Sequence, residues 1–179
     1  MTIVTRAAGL SALLLSLSAC SPTFNWRALP LDGTPLQALM PCKPESASRP
    51  VPLLQDSPTT LHLYSCEAGG LRFAVAWADA GAADRVAPAL DAWRQASLHT
   101  LRAAPPAASA DTAWPAQVAG ADAVLGVQAS GTDPQGQPVQ TRAVYFARGT
   151  QVFQAAVYGA RLPDEALEAF FAGLRLAAP

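Results

Sequence analysis

From Leu71 to Trp77 the chain alternates. Leu71, Phe73, Val75 and Trp77 fall on one side of an extended backbone, and Arg72, Ala74 and Ala76 on the other. A period of two with one bulky side predicts a strand over 71–77. Residues 61–66 read as its partner, because Ala68-Gly69-Gly70 between them supplies a hairpin turn. Beyond Asp84 the period changes. Val86, Leu90, Trp93, Ser97 and Leu101 step by four, three, four and four. That stripe predicts a helix over 85–102, with Asp84 as its N-cap and Pro88 harmless in the first turn. Pro105-Pro106 stops it, and 103–113 is a loop rich in Ala, Pro and Ser. Strands are predicted over 121–130, 139–146 and 151–158, separated by the turn residues Gly131 to Gln137 and by Arg148-Gly149-Thr150. A closing helix over 163–173 starts at Pro163, carries Asp164 and Glu165 at its positive end, and stops at Gly173. Leu71, Phe73, Val75, Trp77, Leu90, Trp93, Phe170 and Phe171 are the expected core. Ahead of Leu61 the pattern is weaker. Trp26 to Leu31 suggests an edge strand, Asp32-Gly33 a turn, Leu36 to Cys42 and Val51 to Leu54 short extended pieces, and Glu45 to Pro50 is polar.

Short hairpin connections make the sheet mainly antiparallel, and the two helices must pack on it, which gives an α+β domain of two or three layers over 26–179. The order of strands, helix, meander and terminal helix resembles the PsbP-like superfamily, whose bacterial members include many lipoproteins. The motif carrying that resemblance runs from Val152-Phe153-Gln154-Ala155-Ala156-Val157-Tyr158 to Ala169-Phe170-Phe171-Ala172-Gly173-Leu174-Arg175-Leu176. No catalytic or metal-binding signature of that superfamily is present, so no functional residue is carried over.

The first twenty residues have a different design. Arg6 precedes an apolar run from Ala7 to Leu17, too short to stay in a bilayer as a helix and proportioned like a secretory leader. The run ends in Leu17-Ser18-Ala19-Cys20, which resembles the lipobox of bacterial lipoproteins. That resemblance implies a leader over 1–19, lipidation of Cys20 with acyl groups such as palmitate, and a short tether over 20–25. Three acyl chains suffice for stable anchoring. Ser21, where an aspartate would favour the inner membrane, implies the outer membrane and its periplasmic face in a Gram-negative envelope.

Lipidation changes the cysteine arithmetic. Of the three cysteines, Cys20 is consumed, and Cys42 and Cys66 remain as an even pair in an oxidising compartment. A disulfide is expected. A metal or redox site is the alternative, but the spacing matches no Cys-x-x-Cys and only His62 and His99 could assist. Hydrophobic residues are 51% and charged residues 14% of the chain, which excludes wholesale disorder. The only lysine is Lys43, and the formal charge of −1 becomes −2 without Arg6, so nucleic-acid binding is excluded.

Enzymatic chemistry finds little support. No Gly-x-Ser-x-Gly elbow or His-Glu-x-x-His is present, and no phosphate-binding glycine loop is followed by lysine. His62 reads as a strand residue facing away from Leu61 and Leu63, and His99 as a cation near a helix end. Trp77 and Trp93 fit core stripes, leaving Trp26 and Trp114 as candidate contact residues. The expectation is a non-catalytic, cofactor-free envelope lipoprotein that binds a protein partner. The alternative is a carrier or sensor of a small apolar ligand held between sheet and helices. A pocket of several hundred Å3 in that layer would favour the carrier, and a filled core with an exposed apolar patch the partner-binding module.

Overall fold

In the computed structural model, described over residues 23–54, 57–102 and 113–177, ten strands and two helices are numbered in chain order. They are β1 (Arg27–Pro30), β2 (Leu36–Met40), β3 (Glu45–Leu54), β4 (Ser57–Ala68), β5 (Leu71–Asp79) and α1 (Ala83–Thr100), then β6 (Ala113–Trp114), β7 (Ala123–Thr132), β8 (Pro138–Arg148), β9 (Gln151–Gly159), α2 (Asp164–Ala172) and β10 (Arg175–Leu176). The leader expected over 1–19, Cys20, Ser21 and residues 103–112 of the expected loop lie outside the described residues.

The strands form two sheets. A seven-stranded sheet has the order β3-β4-β5-β9-β8-β7-β6, and a three-stranded one the order β1-β2-β10. Every pairing between strands is antiparallel, as the short turns require. The protein is therefore α+β. The large sheet is the middle of three layers. On one face lie the small sheet and α2, around Phe73, Val75, Phe146, Phe153 and Phe170, all fully buried. On the other lies α1, through Ala89, Leu90 and Trp93. Burying a phenylalanine of this kind contributes about 1.5–3 kcal/mol, so the first face holds the larger share of the apolar stabilisation.

The alternating strands stand where the pattern puts them, with several corrections. Glu45 to Pro50 is not a polar connector but the first half of β3, an edge strand paired with β4 from Glu45↔Ser65 onward. Its residues 45–50 are exposed, so no bulky side marks it, and an edge tolerates the missing N–H groups of Pro50 and Pro52. The edge strand expected over Trp26 to Leu31 is β1, at the edge of the small sheet and paired with β2. Two strands of two residues each, β6 and β10, are too short to leave a periodic trace. Helix α1 begins one residue earlier than Asp84, whose carboxylate lies in the first turn; the N-cap is Ala82, with no side-chain hydrogen bond. Pro163 is the N-cap of α2, not its first helical residue, and Gly173 is its C-cap. Trp77 and Phe171 are half-buried, since each lies at the margin of the inner layer.

Strand direction defines two ends of the large sheet. One end gathers the Gly69-Gly70 turn, the start of β3, the end of β9 and the β7–β8 turn, in which Asp133 bonds to Gln137. Helix α1 starts from the opposite end, after β5, and finishes at this one, where the Thr132 N–H donates to the Leu101 carbonyl. The Cys42–Cys66 disulfide, with Cα atoms 5.9 Å apart, is also here, tying the segment after β2 to β4.

A candidate ligand-binding groove

The registers of β4, β5, β9 and β8 place small side chains side by side on the α1 face. Ser65 lies opposite Ala74, Ala74 opposite Ala156, and Ala156 opposite Ala143. Their bulky neighbours in sequence point to the other layer, so this face is recessed. Helix α1 fills only part of the recess. Its middle seats Ala89, Leu90 and Trp93, and the Trp93 ring meets Tyr145 edge-on at 6.4 Å. Its second half borders the remaining space while staying tied to the sheet through Ser97 and Gln154. Ala92, Ala96, Ser97 and Thr100 form one wall of a cavity of about 940 Å3, and Val51, Leu53, Leu61 and Leu63 form the other. This is near the upper end of the range for small-molecule sites.

The floor carries neutral polar groups held in place. The Gln154 side-chain amide donates to Tyr145 Oη at 2.9 Å and to Ser97 Oγ at 3.0 Å. Ser97 in turn donates to the Trp93 carbonyl at 2.9 Å. Burial pushes the Tyr145 and Tyr158 hydroxyls above the usual tyrosine range, and for Tyr158 the nearby Tyr145 adds to the effect. Both therefore stay protonated and uncharged at neutral pH. Tyr158 lines the cavity, and Tyr145, fully buried, supports Gln154 from beneath. The charges stand at the rim, where Lys43, Glu45, Arg49, Glu67, Arg72 and Asp133 balance three of each sign. Arg72 and Glu67 pair at 2.7 Å, both exposed, so their bond contributes little to stability.

The Ser97 hydroxyl is engaged with backbone, and no histidine lines the cavity. Among the described residues no cluster of His, Cys, Asp and Glu could hold a metal ion. His62 is on the opposite face of the sheet, stacked on Trp77 at 4.2 Å and bonded through Nδ1 to Ser48 Oγ at 2.9 Å. His99 is exposed in the last turn of α1.

The residues singled out from the sequence lie in different places. Cys42 and Cys66 are bonded and border the groove at its rim end. Trp26 is half-buried in the opposite layer, between Phe24 at 5.6 Å and the edge of Phe73 at 6.0 Å. Trp114 donates its indole N–H to the carbonyls of Val127 and Ala143, both at 3.0 Å. Its ring packs on Phe171 at 5.1 Å and lies under Arg142 at 5.5 Å. Neither tryptophan lines the groove. Trp93, expected in the core, and Ala74 and Ala76, on the side opposite Phe73, do line it. The available signal was the alanine series itself, which alternates with bulky residues and marks a face without bulk. No family model matches the sequence, and no characterised protein matches it.

Proposed function

We propose that this chain is a non-catalytic envelope lipoprotein, anchored through Cys20 on the periplasmic face of the outer membrane, whose PsbP-like domain carries or senses a small apolar ligand. The groove carries this reading: about 940 Å3 between α1 and the sheet, with aliphatic walls and an uncharged, hydrogen-bonding floor. Removing ligand surface from water there contributes about 25 cal/mol per Å2. The PsbP-like kinship rests on the order of elements and on the phenylalanine-rich closing helix. The partner-binding reading has less to stand on. The exposed large hydrophobics among the described residues are Val124 and Leu125, 37% exposed each. As neighbours on a strand they point to opposite faces and make no continuous patch.

The test is what co-purifies. A Cys20→Ser chain, secreted behind a leader that needs no lipidation, is extracted with organic solvent and the extract analysed by mass spectrometry. The expected result is an apolar compound in stoichiometric amount, absent from Ala96→Trp and Ser65→Phe, which fill the groove from its wall and floor. Retention of the Cys42–Cys66 bridge checks folding of the variants. An extract identical for all three chains overturns the ligand reading.

A further inference from the structure

We propose that the ligand is the acyl chain of a membrane lipid, drawn from the same bilayer that holds the anchor, through the end of the groove beside it. The inference rests on the ligand-binding reading above and on lipidation of Cys20, and adds to them a source and a direction.

The first observation is where the chain emerges. Thr23 and Phe24 pack over the Gly69-Gly70 turn: a Cβ at Gly69 would lie 3.0 Å from the Thr23 methyl and from the Phe24 ring. The Asn25 N–H donates to the Pro41 carbonyl, holding this strap beside Cys42. Three residue steps separate Cys20 from Thr23, so covalent geometry limits the lipidated sulfur's backbone to about 11 Å from this turn. The bilayer surface is therefore brought to this end of the sheet and not to the other.

The second observation is independent and concerns the groove. Its charged rim lies at the same end. Glu67 and Arg72 flank the Gly69-Gly70 turn, Lys43 follows the bridged Cys42, and Asp133 belongs to the β7–β8 turn. The opposite end of the cavity is largely apolar, with Leu53 and Trp93 both buried, and Arg49, paired with Leu61, is the one of the six rim charges that stands away from the anchor end. Polarity thus falls along the groove from the anchor end inward. A lipid has the same gradient from headgroup to tail. Charges of both signs at the rim suit a zwitterionic headgroup left outside, and aliphatic walls suit a chain inside.

The experiment uses the lipidated full mature chain in phosphatidylethanolamine vesicles containing a phosphatidylcholine with a photoreactive diazirine in its acyl chain. After illumination, labelled peptides are located by mass spectrometry. The expected label falls on α1 and β4 residues lining the groove and is lost in Ala96→Trp. A flexible Gly/Ser spacer of about twenty residues placed after Ser21 should reduce groove labelling about tenfold, because effective concentration falls steeply with tether length. In parallel, the soluble Cys20→Ser chain is illuminated with a diazirine fatty acid. If the soluble chain is labelled in the groove but the anchored chain is not, the bilayer source is overturned and the ligand reading stands. If the spacer leaves groove labelling unchanged, the proximity argument is overturned. If neither chain is labelled in the groove, both readings fall.

Discussion

At Gly126 a single hydrogen keeps two strands in register. A Cβ there would lie 2.2 Å from the Trp114 carbonyl oxygen, a backbone atom that cannot swing aside. Gly126→Ala must push β6 away and break the two bonds of the Trp114 indole, at a cost of about 2 kcal/mol or more. Urea unfolding followed by tryptophan emission should show a lowered midpoint and a native spectrum shifted to the red. The buried tyrosines predict a pH effect of definite sign. Tyr145 and Tyr158 hold their protons more tightly folded than unfolded, the ordinary value being 10.0. Below that pH both states are protonated and stability is undiminished. Above it the unfolded chain loses protons that the folded chain keeps, so stability falls by up to about 1.4 kcal/mol per pH unit for each tyrosine. Urea midpoints measured from about pH 8 to about pH 11 should decline above pH 10, and less steeply in Tyr158→Phe. Among single residues, the paired cysteines were readable from the chain alone, since setting aside the cysteine of the lipobox-like Leu17-Ser18-Ala19-Cys20 leaves two. The engagement of Trp114 was not, because its carbonyl partners at Val127 and Ala143 become neighbours only through the β7–β8 register.

Elements were readable in proportion to their one-sidedness. β5 has bulky residues on one side and α1 a clear stripe, and both stand within a few residues of their expected bounds. β3 has one neighbour and much exposed surface, so burial never imposed a pattern on its first half. This strand and the small sheet depend on the disulfide more than the centre does. The bridge closes a separation of 24 residues, for which the chain-entropy model gives about 3.5 kcal/mol. Cys42→Ala/Cys66→Ala should lose about that much stability. Hydrogen exchange should show β1, β2 and β3 losing protection first, while β8 and β9 remain slow. Uniform loss over the whole sheet would contradict this ordering.

For the molecule as a whole, the α+β class and the range of two or three layers followed from short turns and two amphipathic helices, but the placing of α1 and α2 on opposite faces did not. Arg72, Ala74 and Ala76 share the side opposite the bulky residues, and Ala74 and Ala76 are 8% and 1% exposed beneath α1. Alanine gives no sign of whether a face meets solvent, a helix or a void, and the groove is the consequence of that ambiguity. The groove became visible only when four strands aligned their small residues. Anchoring is the prediction that belongs to this scale. Cells given a labelled fatty acid should incorporate it into the wild-type chain, and Cys20→Ser should remain an unlabelled precursor of higher mass. Normal processing of that variant would remove the anchor from the argument.

The Cys42–Cys66 bridge also bears on transport. Thiols remain reduced where proteins are synthesised and are oxidised only beyond the inner membrane. On the proposed route of export, a newly made chain would therefore lack the covalent link between the segment after β2 and β4, and with it the part of its stability that the link supplies. A less stable chain is easier to thread through a narrow pore than a finished one. Once across, oxidation makes the fold harder to undo, so the same pair of sulfurs would act as a latch that closes only on arrival.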